Sequence, residues 1–334
     1  MIVRDYHSTK IYGILALLLL TLSVTALSSG PLAGNIISLV DALVSEDASI
    51  LAATFWQLRL PRVVLALMVG SALAVAGVTM QAIFRNPLAE PGLTGSSSGA
   101  ALAAATVIVL APYENHAAML PLVAFLGALL ATLLVLSFPV SAGDQMASLL
   151  LLGIAINAVS SAGLGFLSFV ADDFALRSLT FWQFGSLGKA SWEDLAWATA
   201  IASPALGWLL CQGRVLNGLL LGERDAHCLG IDVHRFKVCA LLACSVCVGT
   251  AVACAGIIGF VGLVVPHLLR LVVGPDHTRL LPASLLAAPA LVLAADTLAR
   301  TVVSPAELPI GILTALLGGP FFIYLLLQRS RTSA

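Results

Sequence analysis

RLPRVVLALMVGSALAVAGVTMQAIFRNPLAEPGLTGSSSG, residues Arg59 to Gly99, sets two arginines ahead of an apolar run of about 20 residues, the length that crosses a bilayer as a helix. The Asn86-Pro87 pair and the glycines behind it stop that helix and open a structured loop. Gly70, Ala74 and Gly77 recur along the run at spacings of four and three, and Gly95 and Gly99 add a GxxxG pair just beyond it. Small residues so placed let helix backbones approach closely in lipid, so the run is predicted to pack among other membrane helices.

Composition agrees. Of 334 residues, 60% are hydrophobic and 10% charged, against roughly 25% charged in soluble domains, and no soluble core absorbs that much apolar surface. The formal net charge of -1 offers no footprint for nucleic acid. The six cysteines, Cys211, Cys228, Cys239, Cys244, Cys247 and Cys254, fall in or beside one loop and the span after it. Cys244-x2-Cys247 has the spacing of half a zinc site, but it lies in an apolar helix with no second pair, and no bound metal is expected.

Hydropathy divides residues 1–334 into a single transmembrane domain, an all-α polytopic fold of about ten helices. Span 1 covers Ile11 to Leu27. Small residues at Ala26 and Ser28 also suit a cleaved leader, but the apolar run exceeds the 7 to 15 residues usual there, and a retained span with its N-terminus inside is expected. Asn35 to Phe55 holds Asp41, Glu46 and Asp47 among apolar residues and reads as an amphipathic helix on the outer surface. Spans 2 to 5 follow at about Pro61 to Ile83, Leu93 to Leu110, Leu120 to Phe138 and Leu149 to Phe169, with an outer loop from Pro112 to His116 and a turn at Gly143-Asp144.

An outer segment, Asp172 to Lys189, carries the interfacial aromatics Phe181, Trp182 and Phe184. Span 6, about Trp192 to Leu210, leads into the longest charged inner segment, 210–237. There Leu219, Leu220, Leu221, Ala226 and Leu229 sit among charges and Gly222 and Gly230 punctuate the chain, so two short helices with apolar faces are expected. Span 7 is about Val238 to Ala255, a short span 8 around Pro266 leads to Arg270, span 9 is about Leu280 to Leu298, and Glu307-Leu308-Pro309 opens span 10, which ends near Leu327. With both termini inside, eleven basic residues fall on the inner side and five on the outer, namely Arg59, Arg62, Arg177, Lys189 and Arg300. That bias has the sense of the positive-inside rule.

LPR at 60–62, the AG-x3-Q from Ala76 to Gln81, RNPLAEPG, LLLGERDAHCLGID, GFVGLVVPHLLR, GPDH, LPAS, AADTLAR, AELPIG and LTALLGGPFF together resemble the FecCD family, the membrane permeases of ABC importers for iron-siderophores, heme and cobalamin. The resemblance implies one of two identical subunits of a type II importer in the bacterial inner membrane, both termini cytoplasmic. It further implies two cytoplasmic ATP-binding subunits and a periplasmic binding protein as partners. Arg59, Arg62 and Arg300 are then expected to receive carboxylates of the binding protein, a task that suits a rigid and always charged fork. The bland alternatives are an interfacial anchor for Arg62 and an i,i+4 pair with Asp296 for Arg300.

By the same resemblance the 210–237 segment is a coupling loop that docks on the ATPase subunit, through Leu219, Leu221, Gly222, Glu223, Arg224, Ala226, Leu229 and Gly230. Asn86 and Leu88 correspond to one inner constriction and Met146 with Ala147 to another, although Met146 departs from the small polar residues of the family. Span 5 is placed beside the central channel, so its stripe of Gly153, Asn157 and Ser160 reads either as a packing seam or as pathway lining. RNPLAEPGL, FWQFGSLGKASW and the C-terminal third resemble heme permeases most, then siderophore, then cobalamin permeases. Heme is therefore the expected substrate, with no cofactor held stably.

Other chemistries find no residues. Gly188-Lys189 suggests a phosphate loop, but Gln183 stands where its first glycine is needed and Ala190 replaces the Ser or Thr. The acids all lie in loops or within about a turn of a span end, which leaves an ion-coupled secondary transporter without a midplane carboxylate. Neither HExxH nor paired intramembrane aspartates are present, and no enzyme activity is expected. His116 is placed outside and His7, His227, His234, His267 and His277 inside, with no pair along the channel.

Overall fold

The computed structural model describes residues 2–29, 50–111, 116–138, 145–304 and 306–332, and among them the regular structure is helical throughout. The first half contains α1 (Ile2–Ser28), α2 (Leu60–Ile83), α3 (Ser96–Leu110), α4 (His116–Ser137), α5 (Gln145–Val170) and α6 (Asp173–Gln183). The second half contains α7 (Trp192–Leu210), α8 (Gly213–Leu221), α9 (Glu223–Cys228), α10 (Val233–Ala255), α11 (Val261–Val273), α12 (His277–Thr301) and α13 (Ile310–Thr332). Among the described residues, six stretches are long and apolar enough to cross a membrane; α7 and α8, bent by 52°, make a seventh as a broken span. The shorter apolar helices α3, α11 and the Ile310–Tyr324 part of α13 complete the ten expected spans.

The run after Arg59 is the centre of the molecule: 19 of the 24 residues of α2 are buried, and α10, α11 and α12 pack on it. Its small residues explain how. A Cβ on Gly77 would lie 2.0 Å from the carbonyl oxygen of Gly262 in α11, and one on Gly70 would lie 2.6 Å from the Pro289 nitrogen in α12. In lipid such contacts gain dispersion and interhelical hydrogen bonds rather than burial from water, and Ser71 supplies one of the latter, its hydroxyl donating to Leu285 O at 3.3 Å.

The element boundaries differ from the sequence reading in instructive places. The helix Ile50–Thr54 and a π-helical turn, Phe55–Arg59, run directly into α2, so residues 50–55 lead into that span instead of closing a separate surface helix. The wide turn sits just ahead of Pro61, where a missing N–H would otherwise break the i to i-4 ladder. Residues 35–49 of the expected surface helix lie outside the described residues, as do 112–115 and the Gly143-Asp144 turn. Span 3 starts at Ser96 because Pro91–Thr94 is a 3-10 turn closed by Gly95 at φ 83°. The outer segment holds α6, capped by the Asp172 carboxylate, which accepts from Ala175 N. α10 begins at Val233 because Asp232 caps it, and this draws Lys237 into the helix.

Candidate functional site

The head of α2 and the tail of α12 lie side by side, and this brings together the three arginines singled out by the sequence. Arg62 donates from Nε and Nη2 to the Asp296 carboxylate at 2.9 to 3.1 Å, and from Nη1 to Glu307 at 2.9 and 3.1 Å. Arg300 Nε lies 3.2 Å from Asp296 Oδ2 as an i,i+4 ion pair, off the line of its own N–H. Its Nη1 and Nη2 donate to Ser29 O and Ala26 O, both at 3.1 Å. Arg59 Nη1 donates to Leu27 O at 2.8 Å. Asp296 is 2% exposed, Arg62 12% and Glu307 40%. The cluster is therefore an internal network around one buried carboxylate that ties α1, α2 and α12 together, with Glu307 on its open side. The pairing of Arg300 with Asp296 was one of the two readings of the sequence; the role of Glu307 was not foreseen, since an acid opening a span carries no signal of its partner.

Next to this network lies a cavity of about 350 Å³, at the low end for small-molecule pockets. It is lined by Arg177, Phe181 and Trp182 of α6, by Lys189, by Cys254 at the end of α10, and by Glu307. Its wall is stitched by the backbone: Ser186 N donates to Ala255 O at 2.8 Å and Gly311 N to Phe184 O at 2.9 Å. A Cβ on Gly256, which has φ 70°, would lie 2.2 Å from Trp182 O, so this approach admits only glycine. Arg177 and Lys189 are exposed cations with no acidic partner among the described residues.

At the opposite end of α12 lies the 210–237 segment, which forms the two short helices expected. α8 buries Gly213, Leu216, Gly218 and Leu219 and leaves Leu220 and Leu221 exposed, Leu221 at 65%. Gly222 at φ 128° turns the chain into α9, where Ala226 is buried and Arg224 exposed; Leu229 and Gly230, at φ 81°, are exposed beyond it. Of the residues expected to dock, Leu221, Arg224, Leu229 and Gly230 thus face outward, whereas Leu219 and Ala226 hold the segment against its own subunit. Glu223 is likewise engaged internally, accepting from Lys237 Nζ at 2.7 Å and lying 4.0 Å from Arg85 Nη2.

The loop after α2 is a folded unit. Asn86 Oδ1 accepts from Leu88 N at 3.0 Å, and Glu90 Oε1 accepts from Phe260 N at 3.0 Å. Phe260 holds φ 67°, a conformation bulky residues adopt only under constraint, in the break between α10 and α11. Burial pushes the Glu90 carboxyl above its ordinary pKa, an effect opposed in part by the Phe260 N–H. On the other side the loop meets α5. A Cβ on Gly153 would lie 1.9 Å from Leu93 O, Asn157 Nδ2 donates to Gly92 O at 3.3 Å, the Ser98 hydroxyl donates to Asn157 Oδ1, and Ser160 is buried. Gly153 and Asn157 thus pack against the subunit's own loop, while Leu151, Ile154, Val159 and Phe166 stand exposed elsewhere on α5. Met146 and Ala147 belong to the start of α5, their side chains lying outside the description. Among the described residues no three His, Cys, Asp or Glu side chains gather into a metal site.

Comparison with known proteins places this arrangement. The sequence profile of the FecCD transport family matches residues 16–328. The hemin transport system permease protein HmuU of Yersinia pestis is 47% identical over 280 residues, covering 81% of this chain and 82% of that protein. The vitamin B12 import system permease protein BtuC of Vibrio parahaemolyticus is 45% identical over 271 residues, with 81% and 82% covered. A solved structure of an inward-facing metal-chelate type ABC transporter superposes with a TM-score of 0.85 at 33% identity, covering 96% of this chain and 99% of that one. From the helical framework, the packed loop after α2 and these matches along its length, the chain belongs to the FecCD transport family.

Proposed function

We propose that this chain is the permease subunit of an ABC importer that moves heme inward across the bacterial inner membrane. It works as two copies with two ATP-binding subunits and a periplasmic binding protein, both termini on the cytoplasmic side. The observation that carries the reading is the 47% identity to a hemin permease over four fifths of both chains. The cavity at the arginine end adds chemistry in the same direction. Heme is a flat apolar ring bearing two carboxylates, and the cavity combines the cations Arg177 and Lys189 with the rings of Phe181 and Trp182.

In this reading the loaded binding protein settles on the arginine end, where Arg59, Arg62 and Arg300 converge and Arg177 and Lys189 supply free positive charge. ATP binding draws the coupling segments of the two copies together through Leu221, Arg224, Leu229 and Gly230. The Asn86–Leu88 loop, with Met146 and Ala147 at the start of α5, forms the cytoplasmic gate, and the Gly153–Asn157–Ser160 seam makes α5 and that loop move as one body. Cobalamin is the second reading, supported by the 45% identity to a B12 permease; a ferric siderophore is the third.

Uptake into proteoliposomes holding the permease, its ATP-binding subunits and its binding protein tests this. ATP-dependent uptake of heme, without uptake of cobalamin or a ferric siderophore, is expected. Uptake of either of those instead overturns the substrate, and uptake driven by an ion gradient without ATP overturns the importer.

A further inference from the structure

α8 is joined to the first turn of α12 by one side chain. Asn217 Nδ2 donates to Asp276 Oδ1 at 2.7 Å, while Asn217 Oδ1 accepts from His277 N at 2.9 Å and faces His277 Nδ1 at 2.8 Å. A carboxylate only accepts, so the amide nitrogen has to face Asp276. The amide oxygen then faces His277, whose Nδ1 carries the proton. Asp276 Oδ1 also accepts from Thr278 N at 2.9 Å and Thr278 Oγ1 at 2.7 Å, capping α12. Next to this clamp the backbones touch: a Cβ on Gly213 would lie 2.9 Å from Thr278 Cα. His277 is buried, and its Nε2 has no hydrogen-bond partner among the described residues. The joint is thus a close backbone contact locked by three hydrogen bonds to one amide, at the root of the coupling segment.

α12 has 25 residues, roughly 37 Å at 1.5 Å each, and its far end carries Asp296 and Arg300. We propose that Asn217 is a positioning residue for transport. It fixes α8 to α12 so that the two move as one body, and α12 carries the displacement of the coupling segment to the arginine network where the binding protein settles. This rests on the importer reading. It makes ATP binding at one end and binding-protein docking at the other two loads on one helix, and such coupling works in both directions.

The test is the ratio of binding-protein-stimulated to unstimulated ATP hydrolysis in the reconstituted complex, with heme uptake measured alongside. Asn217→Asp sets two carboxylates face to face and is expected to bring the ratio close to one and lower uptake at least tenfold. Asp276→Asn alone keeps an amide oxygen where Oδ1 accepts, and is expected to stay within about twofold of the parent. Adding it to Asn217→Asp removes the charge repulsion and is expected to recover part of the ratio, which loss of folding would not allow. If Asn217→Asp fails to assemble, Asn217→Ala removes the same bonds without adding charge, and its ratio is read instead. A parent complex that shows no binding-protein stimulation sinks the importer reading. A stimulated parent matched by Asn217→Asp, or by Asn217→Ala, sinks the joint alone.

Discussion

Asp296 holds two cations with one carboxylate, Arg62 by three hydrogen bonds and Arg300 by an ion pair. Removing one partner from a buried set leaves the other charges uncompensated, at a cost of about 3–5 kcal/mol. An exposed pair contributes about 0–1 kcal/mol, because water and salt already screen it. Asp296→Ala is therefore expected to lower the thermal midpoint of the detergent-purified permease sharply, whereas Glu307→Gln, at a carboxylate 40% exposed, is expected to shift it little. Equal shifts from the two would mean that the network does not centre on Asp296. The arginines were visible in the sequence because charge at the head of an apolar run is conspicuous. Their internal engagement was not, since Arg62 and Asp296 stand 234 residues apart and only the fold sets them together. Asn217 was hidden for the same reason, a single amide in a leucine-rich stretch whose partners are supplied by the start of another span.

Helix packing separates glycines that look alike in the sequence. Gly77 has Gly262 O where its Cβ would stand, at 2.0 Å, while Gly207 in α7 has nothing within 4 Å among the described residues. Gly77→Ala is expected to force α2 and α11 apart, at about 1–3 kcal/mol or more for an overpacked contact that backbone cannot relieve. Gly207→Ala is expected to be neutral or to stabilise by up to about 1 kcal/mol through helix propensity. The two thermal midpoints, compared in one detergent, check this, and a Gly77→Ala protein as stable as its parent would remove the close α2–α11 approach. Small residues at spacings of three and four announced a crowded helix, and the ten apolar runs announced their spans, because both signals are local. The direction a stripe faces is not local. Nothing in the spacing of Gly153, Asn157 and Ser160 announces that the Pro91–Thr94 turn lies against the first two of them. The starts of α3 and α10 were displaced for a smaller reason: the 3-10 turn closed by Gly95 and the Asp232 cap are matters of backbone angle and side-chain reach, to which hydropathy is blind.

Across the whole molecule the arginine network and the 210–237 segment lie at opposite ends of α12, so on the importer reading the orientation of the chain determines which end meets which partner. Native thiols can report it. Cys228 is exposed at the end of α9, within the 210–237 segment proposed to couple, and Cys254 lines the cavity at the arginine end. If the coupling segment faces the ATP-binding subunits, a variant retaining only Cys228 should react with a membrane-impermeant maleimide in inside-out vesicles and be protected in right-side-out ones. A variant retaining only Cys254 should show the opposite preference, more slowly, because that thiol is part-buried in the cavity wall. Labelling of Cys228 from the outside would invert the molecule, put the arginine network in the cytoplasm and leave no surface there for a periplasmic binding protein. Protection of both thiols in both vesicle types would instead place the end of α9 against another chain, and repeating the reaction after stripping the ATP-binding subunits would then separate cover by those subunits from burial in the membrane.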